Sequence, residues 1–117
     1  MGFRFETLDI WQAAKDYAKR VYAVTSKFPS HEDYGPKSQM NRAVNSISLN
    51  IAEGSAKNSN KAFDHHLEIA LGSAFEVVSA SFLALDKKYI SQDEHTGLYA
   101  DGERLAKSIN AFRDSLG

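Results

Sequence analysis

Arg42, Ser46, Asn50 and Glu53 follow one another at steps of four, four and three, which puts a cation, a hydroxyl, an amide and a carboxylate along one line of a helix. A second line, His66, Ser73 and Glu76, recurs at i, i+7 and i+10. These groups are the raw material of acid–base sites. They are equally the groups that pair across a helix–helix seam. Small residues lie among them (Ala43, Ala52, Ala70, Gly72 and Ala74), so two backbones can approach closely. A buried polar group left unpaired costs roughly 1–3 kcal/mol. An Arg42–Glu76 ion pair and a hydrogen-bond set centred on Asn50 would satisfy these groups. The expected role of Arg42, Ser46, Asn50, Glu53, Ser73 and Glu76 is therefore structural, fixing helix register as a buried asparagine does in coiled coils. A catalytic role is the alternative.

Other constellations carry less. His65-His66 with Glu68, and His31 with Glu32 and Asp33, contain metal-ligating types. No Glu-x-x-His pair occurs, so the carboxylate–histidine pattern of di-iron bundles is missing, and adjacent residues on a helix face different ways. No metal and no cofactor are expected. Phosphate-cradling glycine loops and nucleophile elbows are absent, and the chain is not expected to be an enzyme. Candidate phosphate contacts fall in two groups: Lys15, Lys19 and Arg20 near the start, and Lys57 with Lys61 later.

The elements that position these residues read as helices. Trp11, Ala14, Ala18, Val21, Thr25 and Phe28 recur at steps of three and four, the spacing of one helix face, and Pro29 ends the run. PSHEDYG is a turn-rich loop. Gly35-Pro36 opens a second helix with proline in its first turn, and Met40, Val44, Ile47 and Ile51 form its stripe to about Gly54–Lys57. Asn58-Ser59-Asn60 breaks the chain and caps a third helix carrying Phe63, Leu67, Ala70, Ala74, Val77, Ser81 and Leu85. Ser91 and Glu94 make a capping box for the fourth, with Leu98, Leu105, Ile109, Phe112 and Leu116 on its stripe. Gly97 and Gly102 weaken that helix, at up to about 1 kcal/mol each relative to alanine. Only FRF at residues 3–5 reads as a strand. The expected fold is all-α, an up-down-up-down antiparallel four-helix bundle forming a single domain over residues 1–117.

Composition bounds the rest. A 43% hydrophobic and 25% charged chain of 117 residues is ordinary for a soluble domain. With no cysteine there is no disulfide framework and no thiol nucleophile, which fits a cytoplasmic location. MGFRFETLDIWQ has no long apolar run, charges interrupt the stretches that might span a bilayer, and Glu6 stands where N-myristoylation needs Ser or Thr. No membrane association is expected. The formal net charge is −1. It is unevenly spread, with nine Lys/Arg against six Asp/Glu in residues 1–62 and five against nine in residues 63–117. The first half therefore suits an acidic partner, another subunit or a nucleic acid. Tyr17, Tyr22, Phe75, Phe82 and Tyr99 exceed the aromatic surface that four short helices can bury, which marks an interface.

The run SQMNRAVNSISLNIAEG, preceded by LDIWQAA and followed by ALGSAFEV, resembles the four-helix-bundle family of 23S rRNA-intervening-sequence proteins. The likeness runs from about Phe5 to Leu116 and rests on Trp11-Gln12, Phe28-Pro29, Gln39, Arg42-Ala43, Ser46-Ile47, Asn50-Ile51-Ala52-Glu53-Gly54 and Ala70-x-Gly72-Ser73-Ala74-x-Glu76. The resemblance implies an antiparallel four-helix bundle and a homopentameric ring. Relatives include a basic accessory protein of diversity-generating retroelements that associates with nucleic acid and a reverse transcriptase. This chain departs in being slightly acidic, and in carrying Ala56-Lys57-Asn58 after Gly54 where relatives often have arginine. The expectation is a self-assembling scaffold with an unidentified protein or RNA partner; the alternative is a nucleic-acid-binding accessory protein whose basic patches repeat around a ring.

Overall fold

Proline, serine and a capping box set three of the four helix starts in a computed structural model of the protein, which describes residues 2–32 and 34–117. The helices are α1 (Asp9–Thr25), α2 (Pro36–Ser55), α3 (Asn60–Asp86) and α4 (Gln92–Ser115). Pro36 occupies the first turn of α2, where its missing N–H has no partner to lose. The Ser59 hydroxyl accepts from the Ala62 N–H at 3.1 Å. At α4 the Ser91 hydroxyl accepts from the Glu94 N–H at 3.0 Å, and the Glu94 carboxylate returns a bond from the Ser91 N–H at 2.9 Å. Those bonds, with Lys27 at 2.9 Å, hold the Glu94 carboxyl below its ordinary range.

Two local expectations need correction. The FRF segment is not a strand; Arg4–Thr7 forms a 3-10 turn, and no strand occurs among the described residues. The turn carries Phe5 onto Trp11, ring centres 4.7 Å apart. Helix α1 stops at Thr25, short of Phe28: Pro29 has no N–H to donate to the Thr25 carbonyl four residues back. Phe28 still joins the core, against Tyr89 at 5.3 Å. The end of α3 had no glycine to announce it. Lys88 takes the left-handed position (φ 64°), and the Tyr89 N–H closes back on the Ala84 carbonyl at 2.9 Å.

Among the described residues α1 packs on α2, α2 on α3, α3 on α4, and α4 back on α1, while the backbones of the diagonal pairs stay apart. That is an up-down-up-down square, 44 × 23 × 21 Å. Its core holds Tyr17, Met40, Ile47, Ile51, Phe63 and Leu67, all fully buried. Burying each large aliphatic or aromatic side chain stabilises the fold by roughly 1.5–3 kcal/mol. Tyr17 is therefore not part of any aromatic surplus. Its hydroxyl donates to the Leu98 carbonyl at 2.8 Å, and burial, reinforced by Asp101, pushes the phenol pKa well up.

Close approach occurs at two glycines. A Cβ on Gly102 would lie 2.6 Å from a Val78 methyl and 2.7 Å from the Tyr17 hydroxyl; one on Gly54 would lie 2.8 Å from His66 Cβ and from the Phe63 ring. Gly102 thus lets α4 seat on α1 and α3 rather than merely weakening its own helix. Gly72, expected at the seam, is exposed and has open space around it.

Candidate interaction surface

The hydrogen-bond set around Asn50 is formed, and it is smaller than the line of polar residues. The Ser73 hydroxyl donates to Ser46 Oγ at 2.9 Å, and Asn50 Nδ2 donates to the Ser46 carbonyl and hydroxyl at 2.9 and 3.0 Å. Asn50 Oδ1 then faces His66 Nδ1 at 3.2 Å, which assigns the ring proton to Nδ1. These four half-buried side chains lock α2 to α3 in one register. Arg42, Glu53 and Glu76 do not join them. All three are exposed, and the expected Arg42–Glu76 pair is not formed. A step of four residues on an α-helix rotates the side chain by about 40°. The line therefore drifts: Asn50 and Ser46 point into the seam, and Arg42 has turned out of it.

Outside the seam, the same register puts Leu49 of α2 level with Ile69 of α3, and Arg42 level with Glu76. Leu49 is 65% and Ile69 42% exposed. Around the other flank of α3, Phe75 (65%), Phe82 (47%) and Tyr99 (43%) are exposed too, and so is Leu83. Phe82 stacks edge-on against His95 at 4.3 Å. His95 is buried and bonded at 3.0 Å to Ser81, whose own hydroxyl donates to the Val78 carbonyl at 2.6 Å. Between α3 and α4 lies a groove of about 210 Å³, lined by Ala74, Phe75, Val78, Tyr99, Gly102, Glu103 and Ala106.

Sequence reasoning named Phe75, Phe82 and Tyr99 as surplus aromatics and missed the aliphatic ridge and the groove floor. Leu49 and Ile69 were off both apolar stripes, and that mismatch was the available signal. The groove floor had none, since it exists through the approach that Gly102 permits.

The basic candidates separate. Arg20 is held by Asp101 at 2.6 Å, and Arg104 meets the same carboxylate at 3.1 Å. Lys15 lies over the Trp11 ring at 5.5 Å. Lys15, Lys19, Lys57 and Lys61 are exposed. Near Lys61, Arg113 binds Asp64 at 2.7 Å and Glu68 at 3.7 Å. The bond from Arg113 holds the Asp64 carboxyl below its ordinary value of 3.8.

Among the described residues no group of three or more His, Asp or Glu side chains could hold a metal ion. Of the His31-Glu32-Asp33 candidate, Asp33 lies outside the described residues. Helix α3 contains an 18-residue window with at most two charges, long and apolar enough by length and composition alone to cross a bilayer. Here it packs between α2 and α4, with apolar residues on its inner and outer sides.

Helix order, packing and seam define an all-α antiparallel four-helix bundle. The sequence matches the family of the 23S rRNA-intervening sequence protein over residues 6–111, and the chain belongs to that family. It is similar in fold to the crystal structure of a protein of unknown function from the S23 ribosomal protein family of Bacteroides thetaiotaomicron. That similarity has a TM-score of 0.82 at 21% identity, covering 89% of this chain and 97% of the other. No protein of curated function matches the chain.

Proposed function

We propose that this protein is a non-enzymatic cytoplasmic scaffold that self-assembles and presents a repeated surface to a protein or RNA partner. One observation carries the reading. Of the nine large apolar side chains exposed among the described residues, six (Leu49, Ile69, Phe75, Phe82, Leu83 and Tyr99) lie on α3 or on the helix faces flanking it. Concentrated apolar exposure of this kind marks an interaction site. The family resemblance supplies the expected number of copies, about five. Light scattering coupled to size exclusion at micromolar concentration is expected to give about five times 13.0 kDa. A clean monomer would sink the proposal.

The second reading, nucleic-acid binding, is favoured by the four exposed lysines Lys15, Lys19, Lys57 and Lys61. Ring symmetry would multiply such patches and raise avidity. Against it stand the net charge of −1 per chain and the engagement of Arg20 by Asp101. Binding to generic RNA or duplex DNA is expected to be no tighter than micromolar at physiological salt. Fluorescence anisotropy across salt concentrations checks this. Sub-micromolar affinity, with a log–log slope of about −0.7 per contact on single strands and loss on Lys15→Glu/Lys19→Glu, would favour the second reading.

A further inference from the structure

We infer that Phe3, Arg4 and Glu6 form a stacking site for a phosphate-bearing nucleobase with an exocyclic amine, adenine being the best fit. Phe3 is 72% exposed at the head of the 3-10 turn, whose backbone packs on α1 and α2. It is nonetheless held in place. Its ring stacks on Phe5 at 5.7 Å with the planes 20° apart, and Phe5 leans on Trp11 at 4.7 Å. The Phe3 N–H donates to Glu6 Oε1 at 2.7 Å, and the Glu6 N–H donates back to the Phe3 carbonyl at 3.1 Å. The ring ladder and the two reciprocal bonds fix one aromatic face against solvent. An aromatic fixed in advance loses little freedom when a flat ligand stacks on it.

Around that ring, Gly2, Phe3, Arg4, Glu6 and Thr7 line an open hollow of about 410 Å³, a volume in the range of small-molecule sites. The family match begins at residue 6, so Phe3 and Arg4 are features of this chain rather than of the family pattern.

The polar groups of the hollow select the occupant. Glu6 uses Oε1 on the Phe3 N–H, which leaves Oε2 to accept from an exocyclic amino group, as carboxylates do with cytosine. Uracil has no such amine. Arg4 forms no ion pair among the described residues; its guanidinium lies over the Phe63 ring at 5.1 Å, with one long bond of 3.5 Å to the Ser55 carbonyl. That leaves most of its N–H donors for a phosphate. A guanidinium or ammonium ligand would also stack on Phe3 and meet Glu6, but Arg4 in the same hollow repels it. Adenine brings the larger stacking ring and the amine, and its nucleotide brings the phosphate. Two sources share this chemistry, a free adenine nucleotide and an adenine in single-stranded RNA. The inference goes beyond the scaffold reading, because the site needs neither a ring of subunits nor the four lysines.

Ligand-detected saturation-transfer NMR on the full chain tests this with AMP, UMP and an oligoadenylate of about ten residues. AMP is expected to bind with a dissociation constant on the order of 0.1–1 mM, its base protons receiving the signal, and UMP at least about fivefold more weakly. Phe3→Ala is expected to weaken AMP binding at least about fivefold, while Phe3→Tyr keeps it, since a phenol ring stacks as a phenyl ring does. The position is exposed, so circular dichroism should show folded helices in both. Glu6→Gln, which still accepts from the Phe3 N–H, is expected to narrow the gap between AMP and UMP. Oligoadenylate binding at least about tenfold tighter than AMP supports single-stranded RNA as the source; equal affinity supports the free nucleotide. No transfer to either probe, or Phe3→Ala binding AMP as wild type does, would overturn the site. Transfer to N-acetylarginine amide with none to AMP would overturn it too, giving the hollow to a cation. A wild type that is monomeric in light scattering yet binds AMP would refute self-assembly and support this site.

Discussion

The two sides of the bundle spend their exposed residues differently. Around α1, Arg20 and Arg104 share Asp101 of α4, Lys15 covers Trp11, and the hydroxyl of Tyr22, the one large apolar residue exposed on α1, bonds to Asn45 of α2. Arg20, Arg104, Asp101 and Tyr22 are answered within the chain there, while Asp16 and Lys19 stay exposed to water. Along the outside of α3, aliphatic and aromatic side chains face outward while Arg42, Glu76 and Glu103 stand unpaired among the described residues. The first side is finished as a surface in contact with water. The second has apolar area and charges that a neighbour would complete.

The most severe way to break this contrast is to charge each side in turn. Ile69→Asp, on the α3 side, is expected to weaken assembly at least about tenfold, about 1.4 kcal/mol. Lys19→Asp, on α1, is expected to leave the assembled mass unchanged. Equal effects in light scattering would erase the distinction.

Glycines sharpen it within one chain. Gly102→Ala forces a methyl group into Val78 and Tyr17 and should cost about 1–3 kcal/mol in denaturant unfolding. Gly72→Ala, on the open outer side of α3, meets nothing and should stabilise the monomer by up to about 1 kcal/mol through helix propensity.

The seam comes next. Asn50→Ala removes the amide that bonds Ser46 twice and faces His66, leaving His66 without that partner and the Ser46 hydroxyl with Ser73 alone, at a cost of about 1 kcal/mol for half-buried groups. Glu76→Ala, at an exposed position, should change monomer stability by no more than about 0.5 kcal/mol. A loss of several kcal/mol on Glu76→Ala, measured below the assembly concentration, would restore the buried Arg42 pair.

Acid gives the smallest effect. The folded-state pKa values of Asp64 and Glu94 lie below the ordinary 3.8 and 4.5, so their stabilisation is present above those values and lost as pH falls through and below them. The melting temperature should decline slightly below about pH 4.5, less so in Asp64→Asn, and stay flat from there to neutrality.

Helix identity was legible because it is local. Pro36, Ser59 and the Ser91/Glu94 box announce their own helix starts, and stripes such as Met40, Val44, Ile47 and Ile51 name the buried face without reference to any partner. The Asn50 bond set was legible for the same reason, since spacing alone puts Asn50 and Ser46 on one face. The motifs around SISLNIAEG carried the family. Only tertiary structure decided which polar residues enter the seam, because the helical drift that turns Arg42 outward acts relative to a neighbouring helix. It also gave Gly102 its purpose and converted Leu49, Ile69 and Phe75 from scattered apolar letters into a ridge and a groove. A sequence fixes the angle of each side chain about its own helix; the packing of α2, α3 and α4 decides what lies opposite.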